Sequence, residues 1–206
     1  MAKVILYDKF ERFWHWTQSA LVLLLGLTGF EIHGTFQIFG FETAVRLHTT
    51  ASWAFLILIV FALFWMLVTG QYANFIPTSK NIKAQINYYL VGIFKGADHP
   101  THKTKLSKLN PLQRIVYLGL IVLVFPVMFI SGFLYSYYHY PDNPIKMSGL
   151  ELVAIIHTAG AFLIVCFLIL HLYLISTGTS FWSNLKAMVT GYEEMEIETN
   201  VKEESN

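Results

Sequence analysis

Two histidines, His157 and His171, stand fourteen residues apart within the apolar run from Leu150 to Leu174. At a rise of ~1.5 Å and a turn of ~100° per residue, they lie about 21 Å apart along a helix and within about 40° of one face. The run is longer than the ~20 residues a helix needs to cross a bilayer's hydrocarbon core. One membrane helix therefore presents an imidazole at each of two depths, near opposite leaflets. Ionisable side chains are costly there and mark function. Imidazole serves either as a metal ligand or as a proton carrier, and the partners brought to it decide which.

The elements that must supply those partners follow from composition and order. Hydrophobic residues make up 55% of the 206, charged residues 13%, and mean hydropathy is +0.51, a membrane composition. The net charge of +1 gives no reason to expect nucleic acid. The expected fold is an all-α integral membrane bundle of four transmembrane helices, at about 13–32, 44–68, 111–138 and 150–176. It forms one domain over 1–192, followed by an acidic, disordered tail at 193–206. The first run follows a basic flank but lacks a small-residue cleavage site, so it reads as a retained span. Pro126 is expected to kink the third span. Between the second and third, Ile82, Ile86, Tyr89, Leu90, Ile93 and Phe94 recur at helical spacing. That stripe predicts a cytoplasmic amphipathic helix on the membrane surface, started by Thr78 or Ser79.

With four spans, both termini share a side. The termini and the 70–114 segment hold twelve of the fourteen lysines and arginines, leaving Arg46 and Lys146 opposite. The positive-inside rule then puts the termini in the cytoplasm, and the chain in a bacterial inner membrane. Depth now pairs the histidines. His15 and His171 lie at the cytoplasmic ends of spans one and four, and His48 and His157 lie near the outer ends of spans two and four. Two bis-imidazole sites stack across the bilayer and share the last helix. Bis-imidazole ligation leaves no open position on a haem iron, which suits electron carriage. Cys166 is the one cysteine, so no CxxCH attachment exists and any haem is b-type. Cys166 itself is expected as a small buried apolar residue.

Arg46, two residues before His48, and Arg12, three before His15, are candidate partners for haem propionates. His33 and His139 fall at outer helix ends as interfacial anchors, and His99 and His102 are expected in solvent. Gly26, Gly29 and Gly160 leave room either for a flat macrocycle or for close helix packing. Electrons that cross need a membrane-resident acceptor, and the chemistry is that of a quinone. Its candidate site is the amide pair Asn110 and Gln113 beside the inner haem. The competing reading of Asn110-Pro111 is a helix N-cap with proline at the first position.

Several stretches together resemble a known family. They are Arg12-Phe13-Trp14-His15-Trp16, Leu47-His48, Lys108-Leu109-Asn110-Pro111-Leu112-Gln113-Arg114, Ile156-His157-Thr158, His171-Leu172-Tyr173 and Lys186-Ala187-Met188-Val189-Thr190-Gly191-Tyr192. The pattern is similar to the di-haem cytochrome b (gamma) subunits of membrane-bound formate dehydrogenases, thiosulfate reductases and nickel–iron hydrogenases. The resemblance implies two haem b groups, the inner on His15 and His171 and the outer on His48 and His157. It also implies a menaquinone or ubiquinone site involving Asn110 and His171. The expected partner is an outer-face iron–sulfur or multi-haem cytochrome c subunit, with a catalytic subunit beyond it. The chain would be an electron-transfer and quinone-reactive subunit. Two rivals remain: a haem-free histidine proton channel or transporter, and a self-contained ferric or ascorbate-type reductase. The first has no b-type absorption band; the second needs a cytoplasmic donor motif, which the sequence does not show.

Overall fold

The computed structural model describes residues 2–97, 100–101, 107–138, 147–178 and 180–195. His99, His102, His139, Lys146 and the chain from 196 onward lie outside the described residues. A strand, β1 (Ala2–Ile5), leads into α1 (Lys9–Ile32). That helix starts a turn earlier than hydropathy predicts, because Asp8 caps it and Glu11 accepts the Asp8 N–H at 2.7 Å, a capping box. After a loop, α2 (Phe41–Thr69) ends at Gly70 in the left-handed conformation. Then comes α3 (Ile82–Leu90), flanked by short 3₁₀ turns. It starts from Asn81, at φ 63°, rather than from Thr78 or Ser79. Ile86, Leu90 and Phe94 point outward while Gln85 is fully buried, so one face is apolar and the other turns into the protein.

The third long helix is interrupted. α4 (Pro111–Gly119) passes through a π turn (Leu120–Val124) into α5 (Phe125–Tyr137). Pro126 has no N–H for the carbonyl four residues back. The ladder widens just before it, the Phe125 N–H reaching Leu120 O. The kink expected at Pro126 takes this form. Next come α6 (Met147–Ile175), α7 (Ser183–Thr190) and β2 (Tyr192–Met195). β2 pairs antiparallel with β1, Ala2 opposite Met195 and Ile5 opposite Tyr192. Residues 193–195, expected to open a disordered tail, are thus an ordered strand.

Three helices, Phe41–Thr69, Pro111–Tyr137 and Gly149–Ile175, are long and apolar enough to cross a membrane. They turn large apolar side chains outward, among them Phe64, Leu67, Val122, Leu163 and Ile169, as a hydrocarbon solvent allows. Cys166 is on this exposed surface, not buried as expected. The innermost cluster is Phe55, Leu120 and Phe125, with Leu25, Phe129, Ile164 and Phe167 packed against it. On each helix these residues fall between the two histidine levels, so a dry aromatic plug separates the two ends.

The α1–α2 loop is held by one carboxylate. Glu31 is 4% exposed, and its Oε1 accepts the N–H groups of Ile38, Phe39 and Gly40, each at 2.8 Å. Hydrogen bonds to a charged group are worth about 1.5–3 kcal/mol each. Glu31→Ala should therefore speed amide exchange at residues 38–40 roughly tenfold or more, with the exchange of β1 and β2 unchanged. Equal exchange in variant and parent would show that the loop holds itself.

Candidate functional site

The histidines meet as two pairs. The ring centroids of His15 (α1) and His171 (α6) are 6.1 Å apart, and those of His48 (α2) and His157 (α6) are 6.3 Å apart. The first pair lies toward the β1–β2 end, and the second toward the α1–α2 loop. Among the described residues, no group of three or more His, Cys, Asp and Glu could hold a metal. Two imidazoles alone cannot complete a tetrahedral site. They suit a metal whose remaining positions are filled by a macrocycle. An iron between two imidazole nitrogens at about 2 Å each places the ring centroids about 6 Å apart, which both pairs match.

The outward nitrogens support the same fit. Ser131 Oγ donates its hydrogen to Val127 O at 2.6 Å, so its oxygen is left to accept from His157 Nδ1–H at 2.8 Å. Thr28 Oγ1 donates to Leu24 O at 2.7 Å and accepts from His48 Nδ1–H at 3.0 Å. With the hydroxyl hydrogen on its helix carbonyl, the oxygen accepts a ring proton on Nδ1 and Nε2 is left as a ligand. The Leu25 and Met128 carbonyls also lie within reach of the His48 and His157 rings and favour the same tautomer. Tyr117 OH stands 3.3 Å from His171 Nδ1. His15 Nδ1 is buried with no partner among the described residues. Thr28, Tyr117 and Ser131 were not predicted from sequence. The signal was present: Tyr117 and Ser131 are fourteen residues apart, the spacing of the two α6 histidines that they meet.

The remaining predicted residues sort differently. Arg12 donates from Nη1 to Val189 O at 2.8 Å, and Trp16 donates from Nε1 to Met188 O at 3.3 Å. Residues one turn apart on α1 thus grip the last carbonyls of α7, where the helix dipole favours a cation. Gly191, at φ 86°, ends α7; a Cβ there would lie 2.8 Å from Tyr7 O and 3.2 Å from Arg12 Nε. This contact accounts for the Met-Val-Thr-Gly stretch and occupies Arg12 Nη1, while Arg12 Nε is buried without a partner among the described residues. Arg46 is exposed. His33 is the exposed C-cap of α1.

Asn110 and Gln113 do not form an open amide pair. Asn110 Oδ1 accepts the Gln113 N–H at 2.9 Å, and Gln113 Oε1 accepts the Asn110 N–H at 3.0 Å. Asn110 Nδ2 donates to Tyr89 OH at 2.9 Å. The capping reading is the one realised. Among the glycines, Gly29 lies against the His48 ring, where a Cβ would come 3.3 Å from Cε1. Gly160 faces Met128 Sδ at 2.5 Å from such a Cβ, so it serves helix packing. A Cβ at Gly26 would meet nothing within 4 Å.

Beside the His15–His171 pair lies an ion pair that sequence reading missed. Lys108 Nζ sits 2.6 Å from Glu11 Oε1, and both side chains are almost fully buried. The Lys108 N–H also donates to Asn74 Oδ1 at 3.1 Å. These contacts fasten the 71–110 segment onto the first turn of α1. Near them Tyr89 OH is pushed up to about 12, chiefly by burial.

Residues 6–191 match the family model described as prokaryotic cytochrome b561. Putative cytochrome YdhU of Escherichia coli (strain K12) is 30% identical over 199 residues, spanning 92% of this chain and 74% of that protein. The family match takes in all four paired histidines, and with the geometry it sets aside the haem-free channel. The chain belongs to the prokaryotic cytochrome b561 family, membrane cytochromes that bind haem b and carry electrons.

Proposed function

We propose that the chain is the four-span, two-haem subunit of a respiratory oxidoreductase. In this reading His15 and His171 hold one haem b, and His48 and His157 hold the other. The observation that carries it is the pair of ring separations, 6.1 and 6.3 Å, made with one shared helix. When bound, the haems supply one-electron chemistry at two depths. The four imidazoles hold them, and the apolar plug between the pairs keeps water from the path.

Strand pairing supports the fourth span. β1 and β2 lie on one side because they are bonded to each other, so the number of crossings between them is even. Three helices qualify by hydropathy, and α1 is the remaining long one. The distribution of lysine and arginine supports a cytoplasmic position for that end, in a bacterial inner membrane. α3, with Ile86 and Leu90 facing outward, then rests on the inner leaflet.

An outer-face iron–sulfur or multi-haem cytochrome c partner, with a catalytic subunit beyond it, would exchange electrons near His48 and His157. Menaquinone or ubiquinone would do so beside His15 and His171. Its headgroup would approach Asn110, whose amide must exchange the Tyr89 hydroxyl for a quinone carbonyl. On this reading the chain is a gamma-type subunit within its family. The test is the purified chain's haem content and its reduced-minus-oxidised spectrum. Two low-spin b haems per chain are expected; a ratio of one or zero overturns the reading.

A further inference from the structure

The two histidine pairs differ in what lies behind their rings. At the loop-side pair, both Nδ1 atoms face a hydroxyl oxygen, at 3.0 Å for His48 and 2.8 Å for His157. Each hydroxyl, in Thr28 and in Ser131, donates its own hydrogen to the carbonyl four residues back. Thr28 is 0% exposed and Ser131 4% exposed, so water does not compete. At the strand-side pair, His171 has only the longer 3.3 Å approach of a phenol, and His15 Nδ1 has no partner among the described residues.

A hydrogen bond donated from Nδ1–H makes the opposite nitrogen more basic, and a more basic ligand favours ferric over ferrous iron. A hydroxyl that is itself donating accepts more strongly, because the chain of bonds polarises. A phenol oxygen shares its lone pair with the ring and accepts less well. We propose that Thr28 and Ser131 are positioning residues that set the His48–His157 centre at the lower reduction potential of the two. Fixed charge acts in the same sense. At the loop end the buried Glu31 carboxylate and Glu42 outnumber Arg46, whereas at the strand end Glu11 is neutralised by Lys108, with Arg12 and Arg114 in addition.

The consequence is a direction. With haem held by His48 and His157 and by His15 and His171, a one-electron donor at the loop end would find the lower-potential centre first, and transfer onward to the His15–His171 centre would be downhill. Two such electrons and two protons would be needed per quinone reduced to quinol. The chain is thereby built to deliver electrons toward the strand-paired end rather than to draw them from it.

This inference rests on the two-haem reading, and a redox titration of the purified, haem-loaded chain separates the two. Two components are expected in the parent. His15→Ala, which retains only the loop-side haem, should show the lower one alone. Ser131→Ala and Thr28→Val should raise the lower component and narrow the gap while the upper component stays in place, and Thr28→Ser should restore the parent value. If His15→Ala retains the upper component, or if Ser131→Ala keeps two haems with neither potential moved, the inference fails and the two-haem reading stands. A parent chain without two haems defeats the reading itself. Should Thr28→Val shed its haem, Ser131→Ala and the His15→Ala assignment decide alone.

Discussion

Alanine at position 157 is expected to halve the haem content of the chain, from two per chain to one. His157 reaches over from α6 to His48, and the Ser131 hydroxyl lies 2.8 Å from its Nδ1. His171, about 21 Å further along α6 by helical rise, pairs instead with His15. His48→Ala should have the same result as His157→Ala, and His15→Ala should remove the other haem. The double variant His157→Ala with His171→Ala should be colourless, since each pair draws one ring from α6. The measurements are the pyridine haemochrome ratio and the low-spin resonance signals, one of which should vanish in each single variant. Two haems retained in either His157→Ala or His15→Ala would mean that the iron is held by other atoms.

The second large effect is on stability. Lys108→Ala leaves the Glu11 carboxylate buried and unpaired, a situation that costs about 3–5 kcal/mol. Glu11→Gln should be less severe, because the amide oxygen still accepts the Asp8 N–H that caps α1, but it strands the Lys108 ammonium. Lys108→Met with Glu11→Gln removes both charges and should recover most of the loss. The check is a double-mutant cycle on the thermal midpoint of the purified protein. Additive losses in the double variant would show that the two groups do not interact. The effect should be centred on the strand-side haem, because Glu11 is one turn from His15 on α1 and Lys108 anchors the segment leading to Asn110.

Helical periodicity made the histidine pairs legible in the sequence. A fourteen-residue spacing puts His157 and His171 on one face whatever the tertiary structure, and alternating span directions then leave little choice of partner. Local rules also told on Asn110, where Asn-Pro followed by Gln at the third position specifies a cap. The ion pair was not legible. Lys108 lies among basic residues that read as a solvated loop, and its partner is 97 residues away. Nor was the end of the chain. Composition at 193–206 reads as acidic and disordered, but β1 offers an unpaired edge that composition cannot register. Thr28 and Ser131 passed as small polar residues in apolar helices, since a hydroxyl satisfied by its own helix carbonyl leaves no trace in hydropathy. Arg12 has a contact the sequence did not show, from Nη1 to Val189 O at the end of α7.

The shared use of α6 bears on how the protein comes to be loaded. Neither imidazole pair exists until residues 147–175 have left the ribosome, because each waits for a ring from that helix. The nascent bundle of α1, α2 and the broken third helix can hold macrocycle only by single, weak ligation. On the two-haem reading, stable insertion of either group would wait for α6. The ladder between β1 and β2 joins residues 2–5 to residues 192–195, so the strand-side end too is closed only after α6 has been made.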